Sequence, residues 1–246
     1  MAGLLISVTN ADEAGLALAG GADVIDVKQP RRGALGAPSL RALAAVSHVV
    51  GGRVPLSVAL GELSESVDRL SLLKTTGLVF AKVGLAHAGA EWCEQWTSLV
   101  AQYPASVQPV AVAYADHGTA RSPCPRDVLG MAERLQCKAL LIDTYGKDCG
   151  GLLDFMSVGE LHDLVGQAQD GGLLAVVAGS LDRVSISRVL DVGPDYVAVR
   201  GAACRGGRQG RLDLQRVRGL AGTLHAARAL EADRAVRGSV SDLWER

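Results

Sequence analysis

A strand–helix–strand pattern decides the fold, and it is clearest in residues 23–60, DVIDVKQPRRGALGAPSLRALAAVSHVVGGRVPLSVAL. Residues 23–28 and 55–60 are short, mostly apolar runs of strand length. Between them, apolar residues recur at helical spacing behind Ser39, a residue type that often caps helix N-termini. The stretch therefore predicts a βαβ unit, in which the two strands are parallel.

The same alternation recurs along the chain and gives eight strand–helix units. The expected strands are residues 4–8, 23–28, 55–60, 78–83, 109–114, 139–143, 173–178 and 196–200. The expected helices begin near Ala11, Ser39, Glu62, Ala90, Arg126, Val158, Asp182 and Asp213.

Chain length and the even pattern favour one domain. The 246 residues contain no Pro/Ser-rich linker, and eight βα units in about 250 residues is the expected size of a (β/α)₈ TIM barrel. A doubly wound open sheet is the alternative, because periodicity does not show whether the sheet closes. We expect a single barrel domain over residues 1–246, with a charged C-terminal extension from about 231 that continues the last helix or docks on a neighbouring subunit.

Composition excludes several classes of protein. Lys and Arg number 25 and Asp and Glu 26, so the net charge of −1 provides no overall basic field for nucleic acid or an anionic membrane. Five cysteines form no CxxC pair, and no secretion signal or apolar run of about 18 residues is present. We expect reduced thiols, a cytoplasmic location and no metal site, since the cysteines lack ligand spacing and no histidine cluster accompanies them.

Ionisable residues interrupt the even-numbered strands near their carboxyl ends. Asp26 and Lys28 are two apart on strand 2 and share one face, while Ile25 and Val27 share the other. Active sites of TIM barrels lie at the carboxyl ends of the strands, and alternate strands supply one interior layer. We therefore expect one cluster at the barrel mouth from the ends of strands 2, 4, 6 and 8: Lys28, Lys82, Asp143 and Arg200.

Lysines gathered at the mouth of a barrel indicate amine chemistry. Each ammonium disfavours protonation of its neighbour, and partial desolvation acts in the same direction. A neutral lysine amine attacks a carbonyl and forms a Schiff base. Asp26, Asp143 or a second lysine could then transfer protons. A structural Asp/Lys pair near the rim is the alternative interpretation of Asp26 and Lys28.

Small residues follow strands 7 and 8, where TIM barrels commonly bind phosphate through backbone N–H groups. These residues are Gly179 and Ser180 after strand 7, and Arg200, Gly201, Ala202 and Ala203 after strand 8. The loop 29–36, with Arg31 and Arg32, is a candidate for a second anion unless its arginines are simply solvated. Tyr114, Asp116 and His117 after strand 5 are weaker candidates for proton transfer. No serine-hydrolase or dinucleotide motif is present in its required context.

Ordered blocks between residues 4 and 217 resemble the (5-formylfuran-3-yl)methyl phosphate synthase family, also called the 4-(hydroxymethyl)-2-furancarboxaldehyde-phosphate synthases. The blocks are GGADVIDVK at 20–28, KVGL at 82–85, YAD at 114–116, LIDT at 141–144 with Lys147, AGS at 178–180 and VRGAAC at 199–204. Gln29 and Arg31–Arg32, in the loop after strand 2, depart from the family pattern. The tail beyond about 230 also extends past the usual end.

The resemblance implies a lyase that condenses two molecules of glyceraldehyde 3-phosphate to a furan aldehyde phosphate, with loss of one phosphate and water. It implies Lys28 as the Schiff-base nucleophile, Lys82 as a proton-transfer group, and Asp26, Asp143 and Lys147 as the rest of the catalytic set. It implies no metal or organic cofactor, and it connects the product to methanofuran-type carriers of one-carbon units. The expected partners are a triose phosphate and further copies of the chain, with no nucleic acid and no membrane.

Two other functions remain open at the level of sequence. A class I Schiff-base aldolase would use the same lysine but release a simple aldol product. A non-catalytic barrel that binds a sugar phosphate would need the phosphate loops but not several lysines and acids at the same mouth.

Overall fold

The computed structural model describes residues 2–226, and eight parallel strands in it close into a barrel in sequence order. The chain is a (β/α)₈ TIM barrel, as predicted, and the sheet is not the open alternative. Each expected strand matches an observed one to within two residues at either end. The strands are β1 (Gly3–Val8), β2 (Val24–Val27), β3 (Leu56–Glu62), β4 (Leu78–Gly84), β5 (Gln108–Tyr114), β6 (Ala139–Asp143), β7 (Leu174–Val177) and β8 (Tyr196–Val199).

Helices on the outside of the barrel follow the strands. They are α1 (Ala11–Ala19), α2 (Leu40–Val50), α3 (Leu63–Ser66), α4 (Trp92–Val100), α5 (His117–Ala120), α6 (Pro125–Arg134), α7 (Leu152–Phe155), α8 (Val158–Asp170) and α9 (Arg183–Leu190). Helical residues follow again at 214–226. The predicted charged extension from about 231 lies outside the described residues.

The third predicted helix differs from expectation. Glu62 is the last residue of β3, α3 is one turn long, and Val67–Lys74 forms a 3₁₀ helix. Val67, Leu70 and Leu73 are three apart, which is the period of a 3₁₀ helix rather than an α-helix. The short helices α5 and α7 and a small antiparallel hairpin of β9 (Cys204–Arg205) with β10 (Arg211–Leu212) were not predicted.

Strand alternation divides the core into two layers. Ile25 and Val27 pack outward against the helices, while Val24 on the same strand faces the barrel interior. Asp26 pairs in register with Ser7 on β1 and Ser57 on β3, so it lies on the interior face. Lys28 follows two residues later, which brings its side chain to the carboxyl-end opening of the barrel.

Small interior residues leave space at this opening. Ala59, Ala178 and Ala198 belong to the interior layer, where bulky branched residues are common in this fold. No helix among residues 2–226 is long and apolar enough to cross a membrane.

Candidate active site

A cavity of about 750 Å³ opens at the carboxyl ends of the strands, and charged residues predicted from the sequence line it. Its wall carries Lys28, Lys82, Asp143, Lys147 and Arg200, together with the loops after β7 and β8. This volume suits a small-molecule ligand. The chain's net charge is −1, yet the cavity wall is positive: it has seven cationic side chains and three carboxylates, namely Lys28, Lys82, Lys147, Arg183, Arg200, Arg208 and Arg216 against Asp143, Asp148 and Asp182.

Asp26 and Lys82 form a buried ion pair across the interior of the barrel. Lys82 Nζ lies 2.5 Å from Asp26 Oδ1, and Ser7 Oγ donates to Asp26 Oδ2 at 3.0 Å. Burial acts to raise the pKa of Asp26, but the positive charges of Lys82 and Lys28 outweigh it and hold that pKa below its ordinary value. Lys82 is therefore held in a fixed position by a carboxylate.

Asp143 and Lys147 form a second pair at the end of β6. Lys147 Nζ lies 2.6 Å from Asp143 Oδ1, and the backbone N–H of Thr144 donates to the same carboxylate oxygen at 2.8 Å. Burial raises the pKa of Asp143, while the charges of Lys147 and Lys28 lower it more, so the net pKa is below the ordinary value. Lys147, which only the family resemblance implicated, is thus paired with Asp143, which the strand pattern predicted.

Lys28 differs from both of these lysines. Among residues 2–226, Lys28 Nζ makes no salt bridge and no hydrogen bond. The pKa of Lys28 falls from 10.5 to about 8, because burial, together with the charges of Lys147 and Lys82, lowers it more than Asp143 and Asp26 raise it. At pH 7 a lysine with that pKa is neutral about 300 times more often than an ordinary lysine. Lys28 is the amine in this cavity best suited to attack a carbonyl.

Arg200 is buried and saturated by acceptors of the chain itself. Nη1 and Nη2 contact the two carboxylate oxygens of Glu13 at 2.9 and 3.2 Å. The remaining N–H groups donate to the carbonyl oxygens of Ser7, Arg208 and Gly210. All five guanidinium N–H groups are thereby used, which corrects the expectation that this side chain is available to a phosphate. Arg200 ties the loop after β8 to α1 and β1.

The backbone of the two small-residue loops remains open toward the cavity. The N–H groups of Gly179, Ser180, Gly201 and Ala202 donate no hydrogen bond to any other residue within 2–226. The N–H of Ala203 donates to the carbonyl of Arg200 at 3.0 Å, so Ala203 belongs to the framework of the loop instead. The four open N–H groups provide donors of the kind that bind phosphate at this position of a TIM barrel.

A glycine is required at the first of these positions. Gly179 has a φ of +105°, where L side chains are rare. A Cβ at this residue would lie 3.1 Å from Leu152 Cβ and 3.2 Å from Thr144 Cγ2. The close approach of α7 and the end of β6 therefore determines the shape of this loop.

The three candidates after strand 5, Tyr114, Asp116 and His117, lie outside the cavity wall. Asp116 accepts hydrogen bonds from the N–H groups of Tyr145 at 2.7 Å and Gly146 at 2.8 Å, and so fixes the loop that carries Lys147. His117 is exposed in α5, and the Tyr114 hydroxyl donates to Glu62 at 2.8 Å. Among the described residues that line the cavity, none is Tyr114, Asp116 or His117.

Loop 29–36, the candidate for a second anion site, also lies outside the cavity wall. Arg31 and Arg32 are exposed, and of the described cavity residues none comes from loop 29–36. The loop instead offers the carbonyl of Gly33 to Arg208 Nη2 at 3.0 Å.

Sequence reasoning missed Glu13 and Arg208. Glu13 follows Asn10 by three residues and looks like an ordinary acidic residue in the first turn of a helix. Its partner lies 187 residues away in the chain, so no local pattern reveals the pair. Arg208 lies in a glycine-rich segment that contains no known binding motif.

Fold and site together define a class: a TIM barrel whose mouth combines an unpaired lysine, two paired lysines and open backbone N–H groups. Solved structures agree with the barrel. Thiamine phosphate pyrophosphorylase from Pyrococcus furiosus superimposes with a TM-score of 0.62 at 13% identity, over 91% of this chain and 95% of that one. Phosphoribosyl anthranilate isomerase from Thermus thermophilus gives 0.58 at 17%, over 92% and 99%. At these identities the likeness shows the fold alone.

Sequence comparison gives the family. The 4-HFC-P synthase model matches residues 4–221. Relatives named (5-formylfuran-3-yl)methyl phosphate synthase include those of Methanopyrus kandleri, 34% identical over 85% of this chain and 92% of the relative, and Methanocaldococcus jannaschii, 33% identical over 88% and 97%. The chain belongs to the 4-HFC-P synthase family, an enzyme family, and the resemblance inferred from its sequence is confirmed.

Proposed function

We propose that this chain is a lyase that condenses two molecules of glyceraldehyde 3-phosphate to (5-formylfuran-3-yl)methyl phosphate and releases one phosphate and water. The observation that carries the proposal is the contrast among the three lysines of the cavity. Lys82 and Lys147 are each held by a buried carboxylate, whereas Lys28 has no such partner within residues 2–226 and its pKa is lowered. A single nucleophilic amine beside two positioned ammonium groups suits Schiff-base chemistry.

The first step is attack of the neutral Lys28 amine on the carbonyl carbon of one triose phosphate. Loss of water gives an iminium, which withdraws electrons and acidifies the adjacent carbon. A base removes the proton there, and the resulting enamine expels the phosphate from the third carbon as the leaving group. This gives an enol, whose terminal carbon attacks the middle carbon of the second triose phosphate after proton transfer has moved the carbonyl group of that molecule there. Ring closure and dehydration then give the aromatic furan, and hydrolysis releases the amine of Lys28.

The two ion pairs supply the proton transfers. Lys82 lies on the Asp26 carboxylate and Lys147 on Asp143, so each pair offers an ammonium donor and a carboxylate acceptor within hydrogen-bond distance of each other. Both pairs exert an electrostatic effect on Lys28. We assign Asp26, Lys82, Asp143 and Lys147 to proton transfer around the Lys28 adduct.

The phosphate of the Schiff-base triose binds at the loops after β7 and β8. The open N–H groups of Gly179, Ser180, Gly201 and Ala202 are its ligands in this proposal. Arg200 and Ala203 hold the second loop in place rather than contacting the phosphate. The seven cations of the cavity wall favour an anionic substrate.

The biological setting is part of the proposal. All five cysteines are free thiols, which agrees with a reducing compartment such as the cytoplasm. The product would serve the biosynthesis of a methanofuran-type carrier of one-carbon units. Association of several copies of the chain stays a prediction.

The test is incubation with glyceraldehyde 3-phosphate while near-ultraviolet absorbance and free phosphate are followed together. A parallel sample is treated with borohydride, digested and mapped by mass spectrometry. A furan chromophore, equimolar phosphate and a reduced adduct on Lys28 support the proposal. An adduct without a chromophore identifies an ordinary Schiff-base aldolase. If a folded protein gives neither result, the proposal is wrong and a non-catalytic phosphate-binding barrel is favoured.

A further inference from the structure

Arg208 is the inward-facing residue of an otherwise exposed loop. Arg205, Gly206, Gly207 and Gln209 are exposed, whereas Arg208 is half-buried and lines the cavity. Burial lowers the pKa of its guanidinium, with Asp143 and Asp148 acting in the opposite direction. A guanidinium stays charged at neutral pH despite this, so the loop places a partly desolvated cation in the cavity.

Most of the hydrogen-bonding capacity of Arg208 is open. Within residues 2–226, its side chain makes one hydrogen bond, from Nη2 to the carbonyl of Gly33 at 3.0 Å. Arg200 on the same loop uses all five of its N–H groups on the chain itself. Partly buried guanidinium groups bind carboxylate or phosphate through two parallel N–H donors when these are open.

Contacts of its backbone hold Arg208 in position. Its carbonyl oxygen accepts the Arg200 Nε–H at 2.6 Å, and the buried Arg200–Glu13 pair anchors this contact to α1. A Cβ at Gly210 would lie 1.8 Å from the carbonyl oxygen of Arg205, so the loop closes as tightly as it does because residue 210 is glycine. The guanidinium is thereby delivered to a defined place.

The Arg208 guanidinium contacts a different loop from the two that carry the open N–H groups. Arg208 begins beside Gly201 on the β8 side, where its backbone N is 3.7 Å from the Cβ position of Gly201. Its guanidinium reaches the Gly33 carbonyl in the loop after β2, the strand that leads into Lys28. The side chain therefore spans from the loop after β8 to the loop after β2, in the wall of the cavity that Lys28 also lines.

We propose that Arg208 binds the phosphate of the second triose phosphate, the molecule that the Lys28 adduct attacks. This inference rests on the proposed function, because only a two-substrate condensation needs a second phosphate site. It also supplies the second anion site for which Arg31 and Arg32 were the sequence candidates. Loop 29–36 contributes a backbone carbonyl that orients Arg208.

The test separates the two substrates. Borohydride trapping at Lys28 against the concentration of triose phosphate reports the first molecule alone, whereas the rate of furan formation requires both. Arg208→Gln removes the charge, and Arg208→Lys keeps it without the two-pronged geometry. Arg211→Gln is the matched control, because Arg211 is an exposed arginine on the same hairpin. Thermal unfolding of each variant reports folding.

We expect Arg208→Gln to raise the half-saturating concentration for furan formation about 10- to 100-fold while the trapping curve stays within about twofold of wild type. Arg208→Lys recovers part of the loss, and Arg211→Gln behaves as wild type. Equal shifts in trapping and furan formation, or no shift in either, would overturn the role of Arg208. A wild-type protein that makes no furan would instead overturn the proposed function, and this inference with it.

Discussion

The two sides of the cavity mouth use buried charge in the same way. On the side of β2, β4 and β6, Lys82 and Lys147 are paired with carboxylates, whereas Lys28 forms no such pair with any described residue. On the side of β8, Arg200 is paired with Glu13, and Arg208 retains open donors within the described chain. Each side thus has cations that a carboxylate neutralises and a half-buried cation, Lys28 or Arg208, that faces the cavity without such a partner among residues 2–226.

Paired and unpaired cations differ in role: the pairs hold the structure of the site, and the unpaired cations are available for binding and reaction. A buried ion pair adds little net stability over an apolar replacement, but removal of one partner leaves a costly buried charge. The pairs therefore fix geometry. The cation without a carboxylate partner keeps its donors available to a ligand.

The largest expected effect comes from the unpaired lysine. Lys28→Ala removes the nucleophile, and we expect furan formation to fall at least ~1,000-fold. Lys28→Arg should be equally inactive although it keeps the charge, because a guanidinium forms no Schiff base under these conditions. Rate assays and adduct mapping measure both, and Lys74→Ala on the surface is the control. Activity of Lys28→Ala within tenfold of wild type would refute the assignment.

Loss of the Asp26–Lys82 ion pair should have the second largest effect. Asp26→Asn leaves Lys82 charged and buried without its carboxylate, which should cost about 3 kcal/mol in the free energy of unfolding. Turnover should fall about 100-fold with a smaller change in KM, since a proton-transfer group is displaced. Denaturant unfolding and steady-state kinetics give the two numbers. A large KM effect with unchanged turnover would place Asp26 in substrate binding instead.

Loss of the Glu13–Arg200 ion pair should lower the free energy of unfolding about as much as Asp26→Asn does, but with a different effect on the kinetics. Glu13→Gln leaves Arg200 without its carboxylate and should also cost about 3 kcal/mol. Because Arg200 holds the phosphate loop rather than the reacting atoms, we expect KM to rise about tenfold while trapping still occurs on Lys28. Asp12→Asn changes the exposed carboxylate next in sequence and should alter neither quantity. If Asp26→Asn and Glu13→Gln lowered turnover equally, the two ion pairs would not differ in role as described.

The smallest effect concerns the shape of the loop after β7. Gly179→Ala strains a left-handed backbone and crowds Leu152 and Thr144, so KM should rise several-fold and stability fall by about 1 kcal/mol. Gly172→Ala is matched in φ, at +80°, with no heavy atom within 4 Å of the added Cβ, and it lies before β7 at the opposite end of the strand. Steady-state kinetics and thermal unfolding compare the two. The control should lose a similar amount of stability with unchanged KM.

Sequence alone predicted the barrel and most of its mouth because both depend on local order. Strand alternation places Asp26 and Lys28 on the interior face whatever the rest of the chain does. The roles of Arg200 and Arg208 were not predictable in this way. They depend on Glu13 and on Gly33, which are distant in sequence, and on whether donors are already occupied, which only three-dimensional contacts reveal.

The most direct test of the central claim is competitive labelling of the lysines with acetic anhydride over a range of pH, with each site quantified by mass spectrometry. It measures the neutral fraction of each amine and needs no substrate. Since only the neutral amine reacts, labelling of Lys28 should rise with pH and reach half its maximum near pH 8, the lowered pKa. Lys28 should also react ahead of Lys82 and Lys147. A midpoint above about pH 10, or faster labelling of either paired lysine, would contradict the account.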